Sequence, residues 1–138
     1  MYYSRGKHKL YQQRKQSPGC PFCDPAEIDY RLIEQTDHAY VVPNQTSYDI
    51  WEHHKVLEHL MVIPKRHVGH LGELNDTELL DVMRLIAKYE VKGYSVYARG
   101  TTSPRRSVKH QHTHLIKIDT KLPRVSLYVR KPYIMVNR

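Results

Sequence analysis

Apolar residues in this chain fall into short clusters separated by turn-forming positions. Residues 30–34 (Y-R-L-I-E) and 38–42 (H-A-Y-V-V) predict two short strands around a polar turn, and Pro43 with Asn44 stops the second. Residues 44–58 mix polar positions with Ile50, Trp51, Val56 and Leu57 and predict no single element. Residues 60–63 are uniformly apolar and end at Pro64, which predicts a buried strand. The helical period appears once. Leu79, Val82, Met83 and Ile86 fall at i, i+3, i+4 and i+7, predicting one apolar stripe facing a core. Asn75 with Glu78 three residues on predicts a capping box, and Gly93 a stop. Residues 94–98 predict a strand, 99–107 a loop, and 108–118 a longer strand. Two more strands near 124–130 and 133–137 are split by Pro132. Many short strands with one long helix predict an α+β domain built on a mainly antiparallel sheet.

A chain of 138 residues, 40% hydrophobic, fits one domain with a core. Residues 1–19 are polar and basic and predict an irregular arm, 20–120 form the domain, and 121–138 a C-terminal strand extension. No apolar run reaches the ~18 residues a membrane span needs, and no apolar signal follows Met1, so the expected location is the cytoplasm.

The formal net charge of +8 is gathered in three places: the arm, the 99–109 loop and the last eighteen residues. Such a balance favours phosphate-bearing partners, although basic ends also serve solubility. Cys20 and Cys23 are the only cysteines. Spaced C-x-x-C, they read as half a metal site or as a redox pair. Nothing downstream forms the βαβ unit of a thioredoxin-like motif, which favours a tetrahedral zinc site needing two further nitrogen or sulfur ligands.

Three of the ten histidines, His110, His112 and His114, alternate along the predicted 108–118 strand and so share a face. Side chains two apart on a strand stand roughly 6.5–7 Å from each other, so a phosphate can touch two of these rings. A row of imidazoles is a poor core, because every ring nitrogen needs a partner. Two chemistries fit it: metal binding, and nucleophilic attack by a neutral imidazole with a second histidine as proton donor.

H-Q-H-T-H-L-I (110–116) resembles the signature of the histidine-triad family, and H-L-M-V-I-P-K-R-H-V (59–68) is similar to that family's upstream strand. The likeness runs from about Cys20 to Ile118. It implies a sheet-and-helix α+β fold, usually a homodimer, and nucleotidyl transfer or hydrolysis at an α-phosphate. The substrates implied are nucleoside phosphoramidates or dinucleoside polyphosphates. The resemblance makes His112 the nucleophile that forms a nucleotidyl-histidine intermediate. His114 contacts the phosphate or the leaving group, and His59 orients the site from behind. Ser107 corresponds to a phosphate contact and Asn44 to a ribose contact. In zinc-bearing members, a C-x-x-C at this place joins two histidines, here His67 and His110, in a structural site.

The chain departs from the pattern in two places. Residues 45–58 are longer than usual and carry Tyr48, Trp51, His53 and His54, available for lidding a pocket or for packing. The loop before the triad lacks the usual glycines and carries Arg99, Arg105 and Arg106, so guanidinium contacts to phosphate replace backbone cradling. Two other readings remain open. One is a basic nucleic-acid binder that removes adenylate from DNA or RNA ends, and the other is a zinc-stabilised module without catalysis.

Overall fold

A computed structural model describes residues 3–4, 19–121, 126–130 and 133–137. Its strands are β1 (Tyr3–Ser4), β2 (Glu34–Gln35), β3 (Ala39–Pro43), β4 (Ile50–Trp51), β5 (His54–Pro64), β6 (Ser95–Tyr97), β7 (Thr113–Ile118), β8 (Ser126–Arg130) and β9 (Tyr133–Asn137). Its helices are the short α1 (Pro25–Asp29) and the long α2 (Asp76–Glu90), with one 3-10 turn at Leu71–Glu73. The chain is an α+β fold with an antiparallel sheet and one long helix.

The eleven-residue β5 is the spine of the sheet. It pairs antiparallel with β3 (Val41 opposite Val62), β4 (Trp51 opposite His54) and β7 (Leu60 opposite Leu115). Beyond β7 lies β6, beyond β3 lies β2, and β1 pairs with β4. A register shift between Val56 and Glu58 leaves Leu57 as an extra residue, 57% exposed. β8 and β9 form a separate two-stranded sheet.

The period of two along β5 divides the interior. Leu60 and Val62, with Val41, Ala39 and Leu115, pack on Val82, Leu85, Ile86 and Tyr89 of α2. Met61 and Ile63 point to the other face and pack with Val42, Ile28 and Phe22. Each fully buried side chain of this kind contributes about 1.5–3 kcal/mol. One sheet thus has a helix-covered face and a face that carries α1 and the site.

The helix starts as expected. Asn75 accepts from the Glu78 amide at 3.0 Å, and the Glu78 carboxylate accepts from the Asn75 amide at 2.9 Å. Gly93, at φ +86, turns the chain out of it. The buried stripe is Val82, Leu85, Ile86 and Tyr89 with Leu79 packed against it, while Met83 of the expected stripe is 44% exposed. Two strands also differ. Residues 30–34 are not a strand: α1 and a turn occupy the segment up to Arg31, and the ladder begins only at Glu34. The 108–118 strand begins at Thr113, because the Gln111 amide donates to the Val68 carbonyl at 2.7 Å instead of joining the ladder.

Candidate functional site

Of the three alternating histidines, His114 lies in β7, while His110 and His112 lie in the bent segment before it. The bend gives the three rings different neighbours. They are not evenly spaced along one strand face.

His112 is 8% exposed and lines a cavity of about 810 Å³. Its Nδ1 lies 2.8 Å from the His110 carbonyl. A carbonyl only accepts, so Nδ1 carries the proton and Nε2 the lone pair. Burial, followed by the nearby positive charge of Arg106 and the neighbouring His110 and Arg99, outweighs the carbonyl bond and pushes the His112 pKa down to about 4. The ring is therefore neutral near pH 7.

The other two catalytic candidates are tied together: the Tyr48 amide donates to His59 Nδ1 at 3.1 Å. His59 Nε2 lies 2.9 Å from His114 Nδ1 and 3.2 Å from Asn44 Nδ2. His59 on β5 is the diagonal neighbour of His114 on β7, since its direct partner is Ile116. His59 is 4% exposed and does not line the cavity; His114 does. The rings of His112 and His114 meet edge to face, 5.0 Å apart.

A second cluster shares the same wall. Cys20, Cys23, His67 and His110 bring their ligand atoms within 4.8 Å of one another, close enough to bind a metal. Cys23 Sγ is 3.1 Å from His67 Nδ1 and 3.4 Å from His110 Nδ1, and Cys20 Sγ is 3.5 Å from His110 Nδ1. A tetrahedral zinc with Cys and His ligands holds such atoms roughly 3.3–3.8 Å apart, so the donor types fit, as do the 3.4 and 3.5 Å spacings to His110. His110 Nε2 donates to the Pro64 carbonyl at 2.9 Å, which fixes the ring with Nδ1 facing the sulfurs. The C-x-x-C immediately precedes α1, whose cap is Asp24, but no βαβ unit follows. Phe22, between the two cysteines, packs edge-on against His112 at 5.1 Å and His110 at 5.9 Å.

The nucleotide-binding candidates divide. Asn44, Arg99, Arg105 and Ser107 line the cavity; Arg106 does not. The Arg106 guanidinium bonds the Gly69 carbonyl and, at 2.6 Å, the Lys109 carbonyl, clamping two loops. Asn44 Oδ1 accepts from the Thr46 amide at 3.0 Å. The 45–58 segment serves packing and site together. Trp51 is buried against Ile116 and stacks on Tyr48 with centroids 5.5 Å apart, whereas Tyr48 also lines the cavity. Phe22, Arg31 and Thr46 also line the wall, and the sequence pattern singled out none of them. Phe22 was accessible to reasoning as the residue held between two metal ligands. Arg31 had no signal, because its segment reads as a strand.

No family model matches the sequence, and no curated protein matches it to a significant degree. Solved structures do match. A histidine triad protein from Clostridium difficile is 24% identical with a TM-score of 0.56, covering 78% of this chain and 96% of that one. A HIT family hydrolase from Clostridium thermocellum is 19% identical with a TM-score of 0.57, covering 79% and 98%. A histidine triad nucleotide-binding protein from Candida albicans is 25% identical with a TM-score of 0.57, covering 73% and 76%. The shared sheet and helix establish the architecture: the chain has the histidine-triad fold.

Proposed function

We propose that the protein is a nucleotide hydrolase or nucleotidyltransferase acting at an α-phosphate, with His112 as the nucleophile. One observation carries the reading: a neutral imidazole, its Nδ1–H tied to the His110 carbonyl, stands at the wall of a cavity of about 810 Å³ with its Nε2 lone pair uncommitted to a proton. Nε2 forms a bond to phosphorus as the bond from phosphorus to the leaving group breaks. His114 contacts the leaving group; the proton that an amine leaving group takes up as it departs comes from an imidazolium at this position and is replaced from the attacking water. His59, which accepts from the Tyr48 amide, lies 2.9 Å from His114 Nδ1 and orients that ring. Water, or another acceptor, then attacks phosphorus, releases the nucleotide and returns His112 to its neutral form.

Arg99, Arg105 and Ser107 supply donors for phosphate oxygens, and Asn44 contacts the ribose. Zinc is the metal proposed for Cys20, Cys23, His67 and His110; when bound it supplies structure, tying the C-x-x-C to the histidine next but one to the nucleophile. The position of Arg106 supports a positioning role in place of a phosphate contact.

The test is incubation with a nucleoside 5′-phosphoramidate and with a dinucleoside polyphosphate. The expected product is a nucleoside monophosphate. His112→Ala should lower turnover by at least about a thousandfold. Undiminished turnover by that variant would remove His112 from the chemistry.

A further inference from the structure

The cavity is electrostatically lopsided. From Val91 to Ile118 the chain holds no acidic residue, and this stretch brings Arg99, Arg105 and Lys109 to the wall. The acids of the lining, Asp24 and Glu27, come from another segment, which also brings Arg31. Arg99 is firmly placed. Its Nη2 donates to the Tyr48 hydroxyl at 3.1 Å and its Nη1 to the Tyr97 hydroxyl at 3.2 Å. The guanidinium also lies over the Tyr97 ring, 5.4 Å from its centre. Both tyrosine rings contact the His114 ring, with centroids 5.9 and 6.0 Å away. Arg99 is therefore held by the same two side chains that flank the proposed proton donor.

That placement bears on which leaving group the site serves. An amine leaving from phosphorus needs a proton, and His114 suffices for it. A phosphate leaving from an anhydride departs as an anion and gains most from a fixed positive charge. A planar fork pinned by two hydroxyls is suited to meeting phosphate oxygens without a reorganisation cost.

We propose that Arg99, with Arg105 on the same wall, forms a leaving-group subsite for a second, anionic phosphate, so that nucleotides linked through a phosphoanhydride are favoured over those linked to an amine. This deepens the proposed function and rests on it. In the favoured reaction, the His112 Nε2–phosphorus bond forms and the anhydride oxygen departs with the electron pair as a phosphate anion against Arg99. Water later cleaves the phosphorus–nitrogen bond.

The test compares one dinucleoside polyphosphate with one nucleoside 5′-phosphoramidate of the same base. For Arg99→Gln, the fall in kcat/KM for the anhydride should exceed the fall for the phosphoramidate by on the order of a hundredfold. Arg99→Lys, which keeps the charge but not the fork, should recover part of that difference. A binding measurement stands beside turnover: wild-type protein should hold a nucleoside diphosphate more tightly than the monophosphate, and Arg99→Gln should abolish the difference. Equal losses on both substrates, or a diphosphate preference that survives the substitution, overturn the subsite. Wild-type protein that cleaves neither substrate overturns the hydrolase reading, while an Arg99-dependent diphosphate preference in that same protein still supports the subsite.

Discussion

At His59, His112 and His114 the residue type is the same, and backbone groups decide what each ring can do. The His110 carbonyl makes His112 Nε2 an acceptor, while the Tyr48 amide holds His59 by its Nδ1 and His59 Nε2 meets His114 Nδ1. His59→Phe removes the middle of this chain. It leaves the Tyr48 amide without an acceptor in a place that is 4% exposed, so denaturant unfolding should show a loss of about 1–3 kcal/mol. Turnover should fall as well, by about tenfold or more, because the ring that meets His114 Nδ1 at 2.9 Å is gone. Two adjacent arginines are expected to separate in the same experiments. Arg106→Ala should lower stability by about 1 kcal/mol through loss of its carbonyl clamp. Arg105→Ala, at the cavity wall, should raise KM for a nucleotide.

Between residue and fold, α2 and the loop that carries His67 are joined by one carboxylate. Arg66 donates to both Glu78 oxygens, at 2.8 and 2.7 Å, while Glu78 also closes the capping box. The Arg66 guanidinium, helped by the Asn75 amide, holds the Glu78 pKa down to about 2 from an ordinary 4.5. A carboxylate whose folded pKa is depressed stabilises the fold above its ordinary pKa and loses that contribution as pH falls toward the folded value. Melting temperature should therefore decline between about pH 4.5 and 2, and Glu78→Gln should flatten that part of the profile relative to wild type. Asn75→Ala tests the cap from the other side and should cost about 1 kcal/mol at neutral pH. The element scale is also where expectation and structure part. Helical periodicity located α2 and three of its four stripe residues, since Leu79, Val82 and Ile86 pack on the core while Met83 turns outward. Packing on Leu60, Val62 and Leu115 selects Leu85 and Tyr89 over Met83. Residues 30–34 and 108–112 carry strand-like composition, yet α1 and the Gln111–Val68 bond take those backbones out of the ladder.

For the whole molecule, one sheet separates a face that packs on α2 from a face that holds the cavity and the four metal-ligand candidates. The tetrad joins residues 20–23 to the Pro64–His67 turn and to His110. Treatment with a zinc chelator is therefore expected to lower the melting temperature, with recovery on adding zinc back; an unchanged melt would dismiss the structural role. The family likeness further implies a homodimer, and light scattering should read twice 16.4 kDa. Among the described residues, no helix is long and apolar enough to cross a membrane.

The chemistry-bearing residues were open to sequence reasoning because catalysis and metal binding demand particular side chains at particular spacings. Spacing picked out the row His110, His112 and His114 and the pair Cys20 and Cys23, whereas His59 and His67 entered only through the resemblance to the histidine-triad signature. The α+β class and the helix cap followed from local patterns, since a capping box closes within four residues. What the chain could not declare in one dimension is which atom of each side chain meets which partner. That Arg106 clamps two carbonyls while Arg99 is pinned by two tyrosine hydroxyls depends on contacts between segments up to 51 positions apart. The proton position on His112 depends on the His110 carbonyl that the bend before β7 brings to it. Those are properties of packing, and packing exists only once the sheet has closed.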